Sequence, residues 1–193
     1  MRSSPDPIRI DVGALVQRSV ASLYAHLVTR PTGRAVRLAI ETQLAEAGEP
    51  TISLIDLTEV TILDFSCADE VVAKLLQRFL GADRPRNAFF VFRGVQARHR
   101  DPMQTVLERQ SLVAVAQRDD GSFELLGQAS AAEREAWARI EQAGRIGAEQ
   151  RATHFAGGDA QAGLEALLDR RLVFETPGTR DLVALSRLIQ ATA

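Results

Sequence analysis

The chain has 193 residues, 46% hydrophobic and 25% charged, which suits one large or two small globular domains with a core of ordinary size. No apolar run approaches the roughly 18 residues that span a bilayer, and the N-terminus lacks a signal peptide's apolar stretch, so a soluble cytoplasmic protein without membrane association is expected. The single cysteine, Cys67, excludes an internal disulfide framework, three dispersed histidines argue against a metal site, and a formal charge of −2 exerts no global pull on nucleic acid.

Taken in order, Ile8 to Val12 alternates apolar and polar residues as a half-buried strand does. Val20 to Leu27 reads as a second strand, followed by a turn over Thr29 to Gly33 punctuated by Pro31. From Arg34 to Ala47, Val36, Ile40 and Leu44 recur on one face of a helix. Ile52 to Leu57 is a short apolar run of the kind buried on both faces in a sheet covered by helices. Ala68, Val71, Val72, Leu75, Leu76 and Phe79 then carry helical spacing, and Phe89 to Phe92 reads as another buried strand. Asp101-Pro102 predicts an N-cap and first-turn proline for a helix to about Gln110. Leu112 to Ala116 and Phe123 to Leu126 flank the hairpin signal Asp119-Asp120-Gly121-Ser122. Residues 1–127 are therefore expected to form an α/β domain.

The grammar changes from about Ser130. Helices are expected over Ala131 to Ala143, Ala148 to Phe155 and Ala160 to Arg171, with Gly157-Gly158 breaking the second. Strand-like segments at Leu172 to Phe174 and Leu182 to Leu185 flank Thr176-Pro177-Gly178-Thr179. Three short helices and a hairpin predict a winged helix over 128–193, packed on the first domain because no long linker separates them. Its third helix offers Asp159, Gln161, Ala162, Glu165 and Ala166 to a groove, an acidic and small-residue surface unsuited to phosphates. Arg170, Arg171 and Arg180 are the candidate DNA contacts there. Residues 130–193 hold eight Arg against nine Asp plus Glu, so protein contact or dimerisation is preferred to DNA binding.

The most informative segment is Asp64-Phe65-Ser66-Cys67-Ala68-Asp69-Glu70, between a buried strand and an amphipathic helix. Ser66 stands where an N-cap belongs, with Asp69 three residues on as in a capping box. Two roles are open to Ser66: a plain cap, or a phosphorylation site whose dianion meets the helix N-terminus. Arg98-His99-Arg100 is read as a loop at the C-terminal sheet edge, either simply solvated, the preferred reading, or able to receive a phosphate or an acidic partner surface. Cys67 reads as a small buried hydrophobe. No nucleophile–base pair, phosphate loop or ligand cluster stands at a readable spacing, so no enzyme activity, cofactor or metal is expected.

Thr29-Arg30-Pro31-Thr32-Gly33-Arg34, a helix, Leu54 to Val60 and then Asp64 to Glu70, in that order, resemble the STAS-like family, related to the STAS domains of sulfate transporters and bacterial anti-sigma-factor antagonists. The resemblance covers roughly residues 8–127. In the antagonists an Asp-Ser-Ser-Gly stretch carries the phosphorylated serine just before a helix. Asp64-Phe65-Ser66-Cys67 matches it, with Ser66 at the phosphoserine position, Phe65 in place of a serine and Cys67 in place of the glycine. The resemblance implies a non-enzymatic bacterial regulatory protein whose partner is a histidine-kinase-like ATP-binding protein, such as an anti-sigma factor or serine kinase. Asp64, Ser66, Asp69, Arg98 and Arg100 would form the contact. The strong excess of Arg over the lone Lys74 is consistent with bacterial base bias. The alternatives are a transcription regulator whose winged helix binds DNA, and a nucleotide binder or enzyme using the Arg98–Arg100 segment. A homodimer is compatible with each.

Overall fold

Alternation along the strands places two apolar faces on one sheet. The computed structural model of the chain describes residues 7–11, 26–47 and 50–190. Strand β1 (Pro7–Asp11) pairs in parallel with a strand at Thr51–Asp56, which pairs in parallel with one at Ala88–Val95. A strand at Val113–Arg118 continues the parallel set, and the sheet ends on an antiparallel strand at Phe123–Gly127. With the short strands β2 (His26–Leu27) and β4 (Ile62–Leu63) forming a separate parallel pair, the five are β1, β3, β5, β6 and β7, adjacent in that order. The fold is α/β. Of the strand expected over Val20–Leu27, only β2 lies within the described residues.

Helices on the first face follow from helical apolar spacing. They are α1 (Arg30–Ala45); a continuous run made of α2 (Phe65–Ala68), a π-helical turn (Asp69–Lys74) and α3 (Leu75–Leu80); and α4 (Ala97–Arg109). Val36, Ile40, Val72, Leu75, Phe79, Met103 and Leu107 pack there against Ile55, Phe90, Phe92 and Ala114 from the strands.

The alternate strand residues point the other way. Ile52, Leu54, Phe89, Val91, Val113, Val115 and Leu125 share one apolar cluster with residues from the last third of the chain. That third runs α5 (Ala131–Ala143), β8 (Arg145–Ile146), a 3₁₀ turn (Ala148–Gln150), α6 (Arg151–His154), α7 (Gly158–Asp169), β9 (Val173–Glu175), β10 (Leu182–Ala184) and α8 (Leu185–Gln190). Strands β8, β10 and β9 form an antiparallel sheet in that spatial order. Ser130 starts α5 with a capping box: its hydroxyl accepts from Glu133 N at 3.1 Å while Glu133 accepts from Ser130 N at 2.7 Å. Strand β8 and helix α8 are absent from the sequence reading.

A polar clamp joins the two parts. The chain leaves α7 through Arg171 at φ 59°, the left-handed cap usually given to glycine, with Leu172 N bonded back to Leu167 O at 2.9 Å. This turns the guanidinium onto the sheet, 4.2 Å from the Phe89 ring centroid, where it donates to Ala88 O at 2.8 Å and to Asn87. Phe174 meets the same Phe89 ring edge-on at 5.4 Å. Arg170 reaches Ser111 O and Gln128 O and pairs with Glu133 at 3.0 Å.

Two helix starts differ from expectation. Thr29 is the N-cap of α1, accepting from Thr32 N, so Pro31 lies in its first turn and the expected turn is helical. Helix α4 begins at Ala97, five residues before Pro102, because Gln96 and His99 cap one another: Gln96 N donates to His99 Nδ1 at 3.3 Å. Pro102 thus sits inside the helix, with no N–H to offer the Arg98 carbonyl. His99 is fully buried, its Nε2 donating to Val60 O at 2.6 Å.

Burial holds the His99 imidazole below its ordinary value of 6.5, although its hydrogen bond to Val60 acts the other way. The unfolded chain therefore binds a proton that the folded chain refuses, and stability drops as pH falls below the unfolded value. Thermal melts should show the wild type losing stability between about pH 7 and 5.5, and His99→Gln losing less across the same range. Parallel profiles for the two proteins would overturn the assignment.

Candidate functional site: the Ser66 helix start

The first turn of α2 is fixed by Asp64. Its backbone is extended (φ −82°, ψ 168°), and its carboxylate accepts from Cys67 N at 2.8 Å and from Ser66 Oγ at 2.9 Å. Asp64, not Ser66, is the N-cap. Ser66 is the second residue of the helix, with its hydroxyl pointing back at the cap. Asp64 N in turn donates to Leu27 O at 2.8 Å, tying the helix start to β2.

Helix α1 crosses this start at close range. A Cβ on Gly33 would lie 2.9 Å from Cys67 Cα and 3.1 Å from Glu70 Cβ, so only glycine lets the two backbones approach this far. Cys67 is buried, with Sγ donating to Thr29 O at 2.9 Å. Burial, reinforced by the Asp64 charge, pushes its thiol up to about 12, which leaves it protonated and unreactive at neutral pH.

Below the cap the π-helical turn directs Glu70 inward. Arg30 at 3.1 Å, Arg37 at 3.2 Å and Lys74 converge on that buried carboxylate. Burial alone would raise the Glu70 carboxyl; its bonds to Lys74, Arg30 and Arg37 outweigh this and hold it below the ordinary carboxylate value. Asp69 completes no capping box; it pairs with Arg30 at 2.6 Å and Lys74 at 3.7 Å. This network ties the turn that presents Ser66 to α1.

Large apolar side chains are also exposed near the cap. Four large hydrophobic residues are exposed among those described, and three lie around the helix start: Val28 at 37%, Ile62 at 46% and Phe65 at 46%. The β2–β4 register sets His26 opposite Ile62 and Leu27 opposite Leu63, so Val28 follows one strand of the pair while Asp64 and Phe65 follow the other. Beside them Arg30, Phe65, Ser66, Asp69, Val106 and Arg109 line a shallow groove.

Asp64, Ser66 and Asp69 are thus brought together, whereas Arg98 and Arg100 are not in the groove. They occupy the first turn of α4 rather than a loop: Arg98 donates to Val60 O at 3.2 Å, and Arg100 pairs with Glu124 on β7. The arginines beside Ser66 are Arg30 and Arg109, from the start of α1 and the end of α4. Their convergence depends on how the helices cross and leaves no motif in the sequence. Exposure of Phe65, Ile62 and Val28 was equally illegible, since each is of a residue type that is usually buried. Of the candidate DNA contacts, Arg170 and Arg171 are committed to the clamp described above, and Arg180 pairs with Glu175 at 3.2 Å. Helix α7 exposes Asp159, Gln161, Ala162, Glu165 and Asp169.

Among the described residues, no group of three His, Cys, Asp or Glu is placed to hold a metal ion, and no helix is long and apolar enough to cross a membrane. No protein-family model matches the chain, and no curated protein or solved structure is significantly similar to it.

Proposed function

We propose that the protein is a non-enzymatic, cytoplasmic regulatory module of bacterial type, in which a STAS-like domain carries the contact surface and residues 128–193 form a winged helix. Its partner is a histidine-kinase-like ATP-binding protein of the anti-sigma-factor or serine-kinase class. The observation that carries this reading is the apolar patch of Val28, Ile62 and Phe65 around a semi-exposed serine at a helix start. An exposed aromatic ring flanked by aliphatic side chains and rimmed by charge is the composition of a protein contact rather than of a catalytic pocket. Ser66 is the switch. A phosphate there replaces a donor to Asp64 with a dianion, repelled by Asp64 and Asp69 while Arg30 and Arg109 stand across the groove. The order helix, strand, helix, helix, strand, strand, with β8 on β10, supports the winged helix.

Affinity capture from the native host tests the reading. Wild type and Ser66→Ala should retain the same ATP-binding partner, while Ser66→Asp and Phe65→Glu lose it by tenfold or more, about 1.4 kcal/mol. Equal capture by all four forms, with no phosphate on Ser66 by mass spectrometry, would sink both contact and switch. Sequence-selective binding of duplex DNA by the intact chain would instead favour the transcription-regulator reading, against the acidic face of α7.

A further inference from the structure

A second site lies in the last third of the chain, away from the Ser66 groove. The end of α5, β10, the loop after β9 and helix α8 enclose a cleft of about 820 Å³, within the 300–1,000 Å³ typical of small-molecule sites. Its lining carries two groups of opposite charge. Glu141, in the last turn of α5, has a buried Oε2 with no hydrogen-bond partner. Such an oxygen is costly to leave unsatisfied. Burial pushes the carboxyl up, and the Ser186 hydroxyl offsets only part of this. Arg187 lies over Gly144, where an added Cβ would come 3.8 Å from its Cδ. No ion pair among the described residues joins Arg187 to Glu141, although both line the cleft. The third charged group, Arg145, is already committed to Asp181.

Two opposite charges facing one cleft without meeting leave room for a molecule that carries both. We propose that the cleft binds a small zwitterion of amino-acid type, its ammonium on the Glu141 carboxylate and its carboxylate on the Arg187 guanidinium. A cation beside Glu141 restores the charge that burial suppresses. The α5 C-terminus, the negative end of that helix, favours the same sign. The guanidinium suits a planar carboxylate better than an ammonium would. Thr176, Thr179 and Ser186 add hydroxyls, and Val183 and Leu188 give apolar walls. The proposal is independent of the partner and switch assigned to Ser66.

Calorimetric titration of the full chain with each of the 20 common L-amino acids and with γ-aminobutyrate reads the site directly. Butylamine and acetate serve as single-charge controls. At least one zwitterion should bind saturably. Its affinity should fall at least about tenfold in Glu141→Gln and in Arg187→Ala, and the controls should bind at least about tenfold more weakly. Glu141→Gln keeps the shape of the side chain, and its circular dichroism and melting temperature establish that it is folded. No saturable binding by any zwitterion, binding untouched by either substitution in folded protein, or butylamine binding as tightly as the best zwitterion would each overturn the assignment.

Discussion

Residues 1–127 expressed alone will aggregate or bind hydrophobic dyes rather than fold to a stable monomer. The sheet's second face carries Ile52, Leu54, Phe89, Val91, Val113, Val115 and Leu125, and its described cover comes from residues beyond 128. Each such side chain returned to water costs about 1.5–3 kcal/mol, so the set together reaches on the order of 10–20 kcal/mol. Net stabilities of whole domains are only about 5–15 kcal/mol. The measurement is sedimentation and a denaturant melt of the fragment beside the full chain. A soluble monomeric fragment with a single cooperative transition would show that the C-terminal cover is dispensable.

Phe174→Ala should be the most damaging single change at that junction. The ring is buried, edge-on to Phe89 at 5.4 Å, while Arg171 covers Phe89 at 4.2 Å. Removing a buried phenylalanine typically costs about 3–5 kcal/mol through lost transfer energy and the cavity left behind. Urea unfolding with an unchanged slope and a midpoint lowered accordingly is the expected result. Arg171→Ala should cost less, because the half-buried side chain stacks on Phe89 and bonds to Ala88 and Asn87 without filling a core cavity. A Phe174→Ala loss below about 1 kcal/mol would mean that the cover packs loosely on the sheet.

Legibility in the sequence followed the range of the interaction that decides each feature. Helix α5 matches its expected limits, Ala131 to Ala143, because a capping box and a following glycine define both ends locally. The run at Ile52 to Leu57 was readable as a strand buried on both faces, and that reading already required a cover on each side. What the run does not say is that the second cover comes from residues more than 70 positions later. At the helix start, Asp64 and Ser66 are both good capping types two residues apart, and the bond from Asp64 N to Leu27 O, not propensity, decides between them. Asp101-Pro102 misled for a related reason. The cap that starts α4 is made by Gln96 and His99, and His99 serves there because Val60, 39 residues away, accepts its second nitrogen in the core.

The shared second core has a consequence for synthesis. Once β7 ends at Gly127, the sheet can have all its strands, yet the cover of its second face is incomplete until Leu185 and Leu188 have left the ribosome. At the 5–20 residues per second of translation, that interval is roughly 3–12 s, ample time for parallel apolar strands to meet the wrong neighbour. A nascent chain of this protein therefore needs either chaperone cover or a slow-to-associate intermediate during that window. Force measured on arrested chains of increasing length should rise only when the stall site lets Leu188 clear the exit tunnel, and an earlier rise would place folding before the cover arrives.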